Sequence, residues 1–358
     1  MMLRRVPMLL WPKITRFAYA NARVKAMKAR LLSKQVMEQF MKAESVMDIL
    51  GMLDRTPYKQ DLSEPALHYA GAELIEFALG RHMARQARKV LSIIPQDAVG
   101  TIAAILEKWD IYNLKTILLG KHLGHTQEKI ASLLVPAGSL TPAELKRLNE
   151  QKDVEELTRF VGRTYYGKVL VPLLEDYKKT RNIQPMLNAL EKEYFTRLPE
   201  RMGRAGPDEL SILSLVKSEI DVKNIMNVLR GKKEGAKEEQ MKRFIIPGGN
   251  IAPRTINNLI KCRTIDEIVS KLRSKYNLEQ ALERYRMDRS LVHFEMAMER
   301  KLVEKWLKTL RISTISTGAL VDYLYLLERE ITNIRKIVRA KEFNLPLEKL
   351  KEIVVMVG

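Results

Sequence analysis

Cysteine is almost absent: Cys262 is the only one in 358 residues. No internal disulfide can form and no pair of cysteines begins a metal site, so a reducing, cytoplasmic setting fits best. Long apolar runs are missing too. The best of them, "VLVPLL" at 169–174 and "IVVMV" at 353–357, fall far short of the ~20 residues that span a bilayer. At the N-terminus, "MMLRRVPMLLWPK" places arginines ahead of a short apolar run, the order of an export signal. Pro7 and Pro12 break that run and no small-residue cleavage site follows, so export is not expected. No Ser/Gly-rich or single-residue tract interrupts the chain, which should be folded almost throughout.

Catalytic signatures are equally scarce. "GKH", "GKV" and "GKK" occur, but none lies in the G-x-x-x-x-G-K-S/T order that surrounds a phosphate with backbone amides and a lysine. His122 and His125 could share a helix face, yet no third ligand is near them in sequence. The Asp-rich motif by which all-α isoprenoid synthases hold magnesium is missing. Glu295 and Glu299 form an i, i+4 acidic pair, but Arg300 and Lys301 adjoin them, as on an ordinary charged face. No nucleophile, base and orienter pattern emerges. Catalytic residues, cofactors and metals are therefore not expected.

What the chain has is positive charge and repetition. Its 62 Lys+Arg against 43 Asp+Glu leave a formal charge of +19, which suits a nucleic-acid backbone, an anionic membrane surface or an acidic protein. A basic all-α nucleic-acid-binding protein is the alternative to weigh. Single-strand binders stack bases on aromatic side chains, and an aromatic content of 6% argues against nucleic acid as the partner.

The stretch "DIYNLKTILLGK" at 110–121 returns as "DVKNIMNVLRGK" at 221–232 and as "EITNIRKIVRAK" at 330–341. The shared asparagines are Asn113, Asn224 and Asn333. Other features keep the same register: "VPAGSLTP" at 135–142 matches "IPGGNIAP" at 246–253, and "DVEELTRFV" at 153–161 matches "TIDEIVSKL" at 264–272, with "SVMDILGML" at 45–53 a looser relative. We read an N-terminal arm over 1–18 and three tandem units of about 110 residues over 19–124, 125–235 and 236–358, the last ending in a C-terminal tail.

Apolar residues in the repeated stretch fall at i, i+3, i+6 and i+7, which predicts an α-helix with one buried stripe. Gly120 and Gly231 stand where C-caps are expected. "PAGS" and "PGGN" are turn chemistry between helices, with Pro142 and Pro253 in the first turns that follow. Three further stretches, 70–94, 291–307 and 319–338, carry helical spacing, and hairpin-bounded alternation is missing. The fold class is all-α. Asparagine is a mediocre helix former, so its recurrence needs a reason: either it bonds a carbonyl of a neighbouring helix, or the three amides line a shared surface.

The segments "YANARVKAMKARLL" at 19–32, "WDIYNLKTILLGK" and "SEIDVKNIMNVLRGKK", with the "PAGSLTP" and "IPGG" turns, resemble the C subunit of archaeal A-type ATP synthases. That family is related to the d subunit of vacuolar-type ATPases. The likeness runs from about residue 19 to about 348 in several separate segments. It implies a funnel of three similar helical domains around a pseudo-threefold axis. It also implies a non-catalytic part of the central stalk: a socket, one copy per complex, between the axle subunits and the proteolipid ring on the cytoplasmic face of the membrane. Candidate partner contacts on exposed basic faces are Lys115, Lys223 and Arg335, flanking the asparagines, and Arg81, Arg85 and Arg88.

Overall fold

The computed structural model describes residues 11–203, 206–310 and 316–356, with side chains from Phe17 onward. Residues 1–10 of the N-terminal arm lie outside this range; from Trp11 the backbone is already helical. No strand occurs among the described residues.

The chain begins with α1 (Trp11–Lys28), and a common order of helices then runs three times. In the first pass α2 (Lys34–Lys42), α3 (Val46–Leu53) and α4 (Lys59–Leu62) lead to the long α5 (Gly71–Ile93). There α6 (Gln96–Leu106) and α7 (Lys108–His122) run back, followed by the short α8 (Gln127–Ser132). The second pass has α9 (Pro142–Glu150), α10 (Val154–Phe160), α11 (Tyr165–Leu170), α12 (Leu174–Thr180), α13 (Gln184–Met202), α14 (Pro207–Lys233) and α15 (Glu238–Arg243). The third has α16 (Pro253–Ile260), α17 (Ile265–Leu272), α18 (Glu279–Asp288), α19 (Val292–Leu310), α20 (Thr317–Glu342) and α21 (Leu347–Ile353). The repeated stretch is thus α7 and the C-terminal halves of α14 and α20.

Local chemistry recurs with the helices. Ser45, Asp153 and Thr264 cap α3, α10 and α17, each accepting a hydrogen bond from a first-turn backbone N–H. Such a cap is worth about 1 kcal/mol. Leu114, Ile117 and Leu118, with their counterparts Ile225, Val228, Leu229 and Ile334, Ile337, Val338, are all fully buried, as the periodicity requires.

The helix ends lie further along than the glycines suggested. Gly120 and Gly231 are inside their helices; the C-caps are Leu123, Glu234 and Phe343, followed by the left-handed residues Gly124, Gly235 and Asn344, at φ 71°, 67° and 52°. Each follows its asparagine by eleven residues. The next amide in each case, of His125, Ala236 and Leu345, reaches back to the carbonyl of Gly120, Gly231 and Ala340, which closes the turn in Schellman fashion. Gly120 and Gly231 are small for another reason: a Cβ there would lie 2.5 Å from the side chains of Ile130 and Met241.

Asn113, Asn224 and Asn333 are buried. Each amide donates to one carbonyl and accepts from the N–H of that same residue, 22 positions ahead. The partners are Val135 (2.8 and 2.7 Å), Ile246 (2.8 and 2.8 Å) and Val355 (2.8 and 3.2 Å). The partner lies in the irregular segment after a short helix, not in a neighbouring helix.

Between passes, the returning helix of one packs on the first long helix of the next. α6 and α7 lie against α13, α14 against α19, and α20 comes back against α5 and α1. Buried apolar side chains form two clusters. The larger joins the first and last parts of the chain, and the smaller sits under α16–α18.

Replacing Asn224 by Ala would strand both backbone groups of Ile246 in the core, and each unpaired buried group costs about 1–3 kcal/mol. Asn224→Ala should therefore lower stability by about 2–4 kcal/mol, read from the urea midpoint at unchanged m-value. A loss below about 0.5 kcal/mol would contradict the pairing.

Candidate functional site

One face of the repeated helix is the same in all three copies and points to one place. Counting back from each asparagine, the position one before it is Tyr112, Lys223 or Thr332, and five before it Lys108, Glu219 or Glu328. Eight before it stands Ile105, Val216 or Tyr325. All nine side chains line a single cavity of about 490 Å³. Offsets of four and three residues keep them on one face of α14 and of α20; in the first copy Lys108 and Tyr112 are on α7 and Ile105 is on α6, across the turn at Glu107. Trp109, Leu187, Tyr194, Phe195 and Trp306 complete much of the wall. Trp306 and Tyr325 stack with centroids 4.1 Å apart and planes 3° from parallel.

The frame repeats, but its chemistry does not. The lining carries five cations, Lys108, Lys115, Lys223, Arg329 and Arg335, and three carboxylates, Glu191, Glu219 and Glu328. Glu191 on α13 stands between Lys115 at 3.5 Å and Lys223 at 2.7 Å, tying three passing helices together. Burial alone would raise the Glu191 carboxyl, but the two ammonium groups overcome it and hold it at about 2. Lys223 responds in the opposite direction: burial would lower it, and Glu191 keeps it above its ordinary value. Lys108 pairs with Glu328, Arg329 with Glu299, and Arg335 with Glu76 at 2.6 Å.

Lys115, Lys223 and Arg335, expected on exposed faces, are half-buried, and all three line this cavity. A single apolar stripe leaves every other position looking solvent-facing, whereas the next pass of helices covers a second face. The three asparagines lie beneath the lining and do not reach the cavity. Arg81, Arg85 and Arg88 sit on α5, away from it. Arg81 pairs with Glu64 at 2.7 Å. Arg85 grips Asp61 through Nε and Nη2 at 3.0 and 2.6 Å. His82 shares that carboxylate through Nδ1 at 2.8 Å, and Arg88 is exposed. Sequence reasoning passed over Glu191, Glu219 and Glu328; the last two were readable from the repeat, in the column that also holds Lys108.

Among the described residues no cluster of three or more His, Cys, Asp or Glu could hold a metal ion. None of the described helices is long and apolar enough to cross a membrane.

The family model for the ATP synthase (C/AC39) subunit matches residues 20–353. The chain belongs to that family. Among its relatives, the C subunit of the A-type ATP synthase from Thermoplasma acidophilum is 29% identical over 342 residues, covering 93% of this chain and 96% of that protein. Counterparts of the same name from Methanococcoides burtonii and Methanosarcina barkeri are each 30% identical, covering 95% of this chain and 94% and 93% of theirs. Family membership makes this chain a structural subunit of an ATP synthase, not a catalytic one.

The Glu191 carboxyl is held below its ordinary value of 4.5. Its stabilising contribution is therefore present above about pH 4.5 and is lost as pH falls towards 2. Glu191→Gln should cost about 1–3 kcal/mol at pH 7, with the gap to the wild-type urea midpoint shrinking to less than half by pH 3. A gap independent of pH would show that the two lysines do not depend on that charge.

Proposed function

We propose that the protein is a non-catalytic central-stalk subunit of an A-type rotary ATP synthase. In this reading it is a peripheral socket on the cytoplasmic face of the membrane, present once per complex. It joins the axle subunits to the proteolipid ring and carries torque between ion flow and ATP chemistry. Three helical domains stand around a pseudo-threefold axis as a funnel, with the shared cavity as its bore.

The observation that carries this reading is that three equivalent positions, used three times, put nine side chains around one space. The cyclic packing of each returning helix on the next long helix supports it. Magnitudes narrow the role. One turn of α-helix, about 10 Å across and 5.4 Å in pitch, occupies roughly 400 Å³. A cavity of about 490 Å³ therefore seats the tip of a shaft, about one turn, and not a long segment. Torque on such a tip is resisted by side chains that cannot rotate freely, and the paired Glu191, Glu328 and Glu76 fix the cations around it.

Domain junctions in this reading follow the packing. Because Val135 and Ile246 are bound back to Asn113 and Asn224, each unit runs on to its own irregular segment. The next unit starts at the caps Thr141 and Ala252.

The test is a binding experiment with the purified chain against separately prepared axle subunits and detergent-solubilised proteolipid ring, at low and moderate salt. Stoichiometric binding to both is expected. Leu119 is exposed within the lining, and Leu119→Glu should weaken axle binding at least tenfold while leaving ring binding unchanged; Arg88→Ala should affect neither. Binding of a folded chain to neither partner would overturn the reading.

A further inference from the structure

Three residues before each asparagine stands a buried acid: Asp110, Asp221 and Glu330. In the first two copies it anchors the turn that starts the next pass. Asp110 accepts hydrogen bonds from the N–H of Ser139 (2.8 Å) and Leu140 (2.9 Å), just before the α9 cap Thr141. Asp221 accepts from the N–H of Ile251 (2.9 Å), just before the α16 cap Ala252. Both links to the residue preceding the cap span 30 positions. Glycine is required where the acid approaches, since a Cβ at Gly138 or Gly249 would lie 2.2 or 2.3 Å from the carboxylate.

Glu330 makes its link in the opposite direction along the chain. Its carboxylate instead accepts from the N–H of Leu32 at 2.5 Å, and Leu32 immediately precedes Ser33, the cap of α2. The register is the same, but the connection runs across 298 positions. The Tyr58 hydroxyl donates to the other oxygen at 2.7 Å.

We infer that the seam between the last and first passes is a non-covalent copy of the two covalent junctions, and that Glu330 is its clasp, closed when protonated and loosened when ionised. The inference rests on packing within this chain and not on what the cavity receives.

Two acceptor bonds do not replace the water a carboxylate loses on burial. Burial accordingly raises the Glu330 carboxyl to about 7, against the pull of Tyr58 and of the Leu32 amide. The charged groups facing it from the packed elements offer no counter-ion. Lys28 of α1 is held by Asp322 at 2.5 Å. Lys34 of α2 lines a cavity beside the seam together with Glu330, and lies 3.9 Å from Glu38. Behind Tyr58, which stacks on His82 at 4.1 Å, His82, Asp61 and Arg85 satisfy one another. Tyr323, on the same helix as Glu330, donates to Gln86 at 3.1 Å.

The sign follows. A carboxyl raised from 4.5 to about 7 in the closed state favours closure fully below pH 4.5, and that advantage is lost as pH rises through 7. Between pH 6 and pH 8 the opening constant should rise about tenfold.

Hydrogen exchange of the full chain, corrected for intrinsic chemical rates, reads this opening. In the wild type, protection of residues 29–37 should fall about tenfold from pH 6 to pH 8, while 136–144, held by Asp110, changes by less than twofold. Glu330→Gln keeps an acceptor for Leu32 and should remain protected at both pH values. Glu330→Ala should speed exchange in 29–37 at both. Equal pH response of the two segments, or a wild-type response that survives in Glu330→Gln, would overturn the clasp. Unchanged exchange in Glu330→Ala would overturn the seam itself, and none of these outcomes bears on whether axle or ring binds.

Discussion

A buried carboxamide that pairs with both backbone groups of one distant residue is the constraint on which the rest depends. Asn113, Asn224 and Asn333 each fix the irregular segment after a short helix. That segment then sets where the next turn lies, and the acid three residues before the asparagine takes hold of the turn itself. No other side chain does this at the same reach. Aspartate lacks the donor, and glutamine carries the amide one methylene further out. Two side chains on one helical turn thus place the start of each following set of helices.

Much of this was legible in one dimension because the asparagine is a costly residue in a helix and so stands out when it recurs. The register it gave made the all-α class and the apolar stripe readable. The position of the caps was not. Gly120 and Gly231 look like helix stops by type, yet Ile130 and Met241 are what require them small, and those contacts are made by chain that follows the helix. Lys115, Lys223 and Arg335 were misplaced on exposed faces for a related reason. A periodicity with one apolar stripe identifies one buried face, and the cavity face is polar. It shows only in the repeat columns, where Lys108, Glu219 and Glu328 share a position without sharing a charge. Glu330 went unread because its partner is 298 residues away, beyond any window of local pattern.

Net charge proved a poor guide to the site. The chain carries +19, but the cavity lining has five cations and three carboxylates, so most of the excess lies elsewhere on the surface. Within the cavity each of Lys108, Lys115, Lys223, Arg329 and Arg335 has an acidic partner. Removing one member of such a pair leaves the other half-buried and uncompensated, which is more costly than the pair is stabilising. The cavity's chemistry is therefore coupled to the packing of its wall, and a substitution that alters one alters the other.

The seam at Glu330 also bears on stiffness. A tube slit along its length twists under a small load because its edges slide past one another; the same tube with the edges joined resists through the whole circumference. Two of the three junctions here are joined by peptide bonds. The third carries shear through non-covalent contacts alone: the Leu32 and Tyr58 hydrogen bonds to Glu330, the Lys28–Asp322 and Arg335–Glu76 pairs, and the packing of α20 on α1 and α5. Together these contacts decide whether the body twists as a closed section or as an open one.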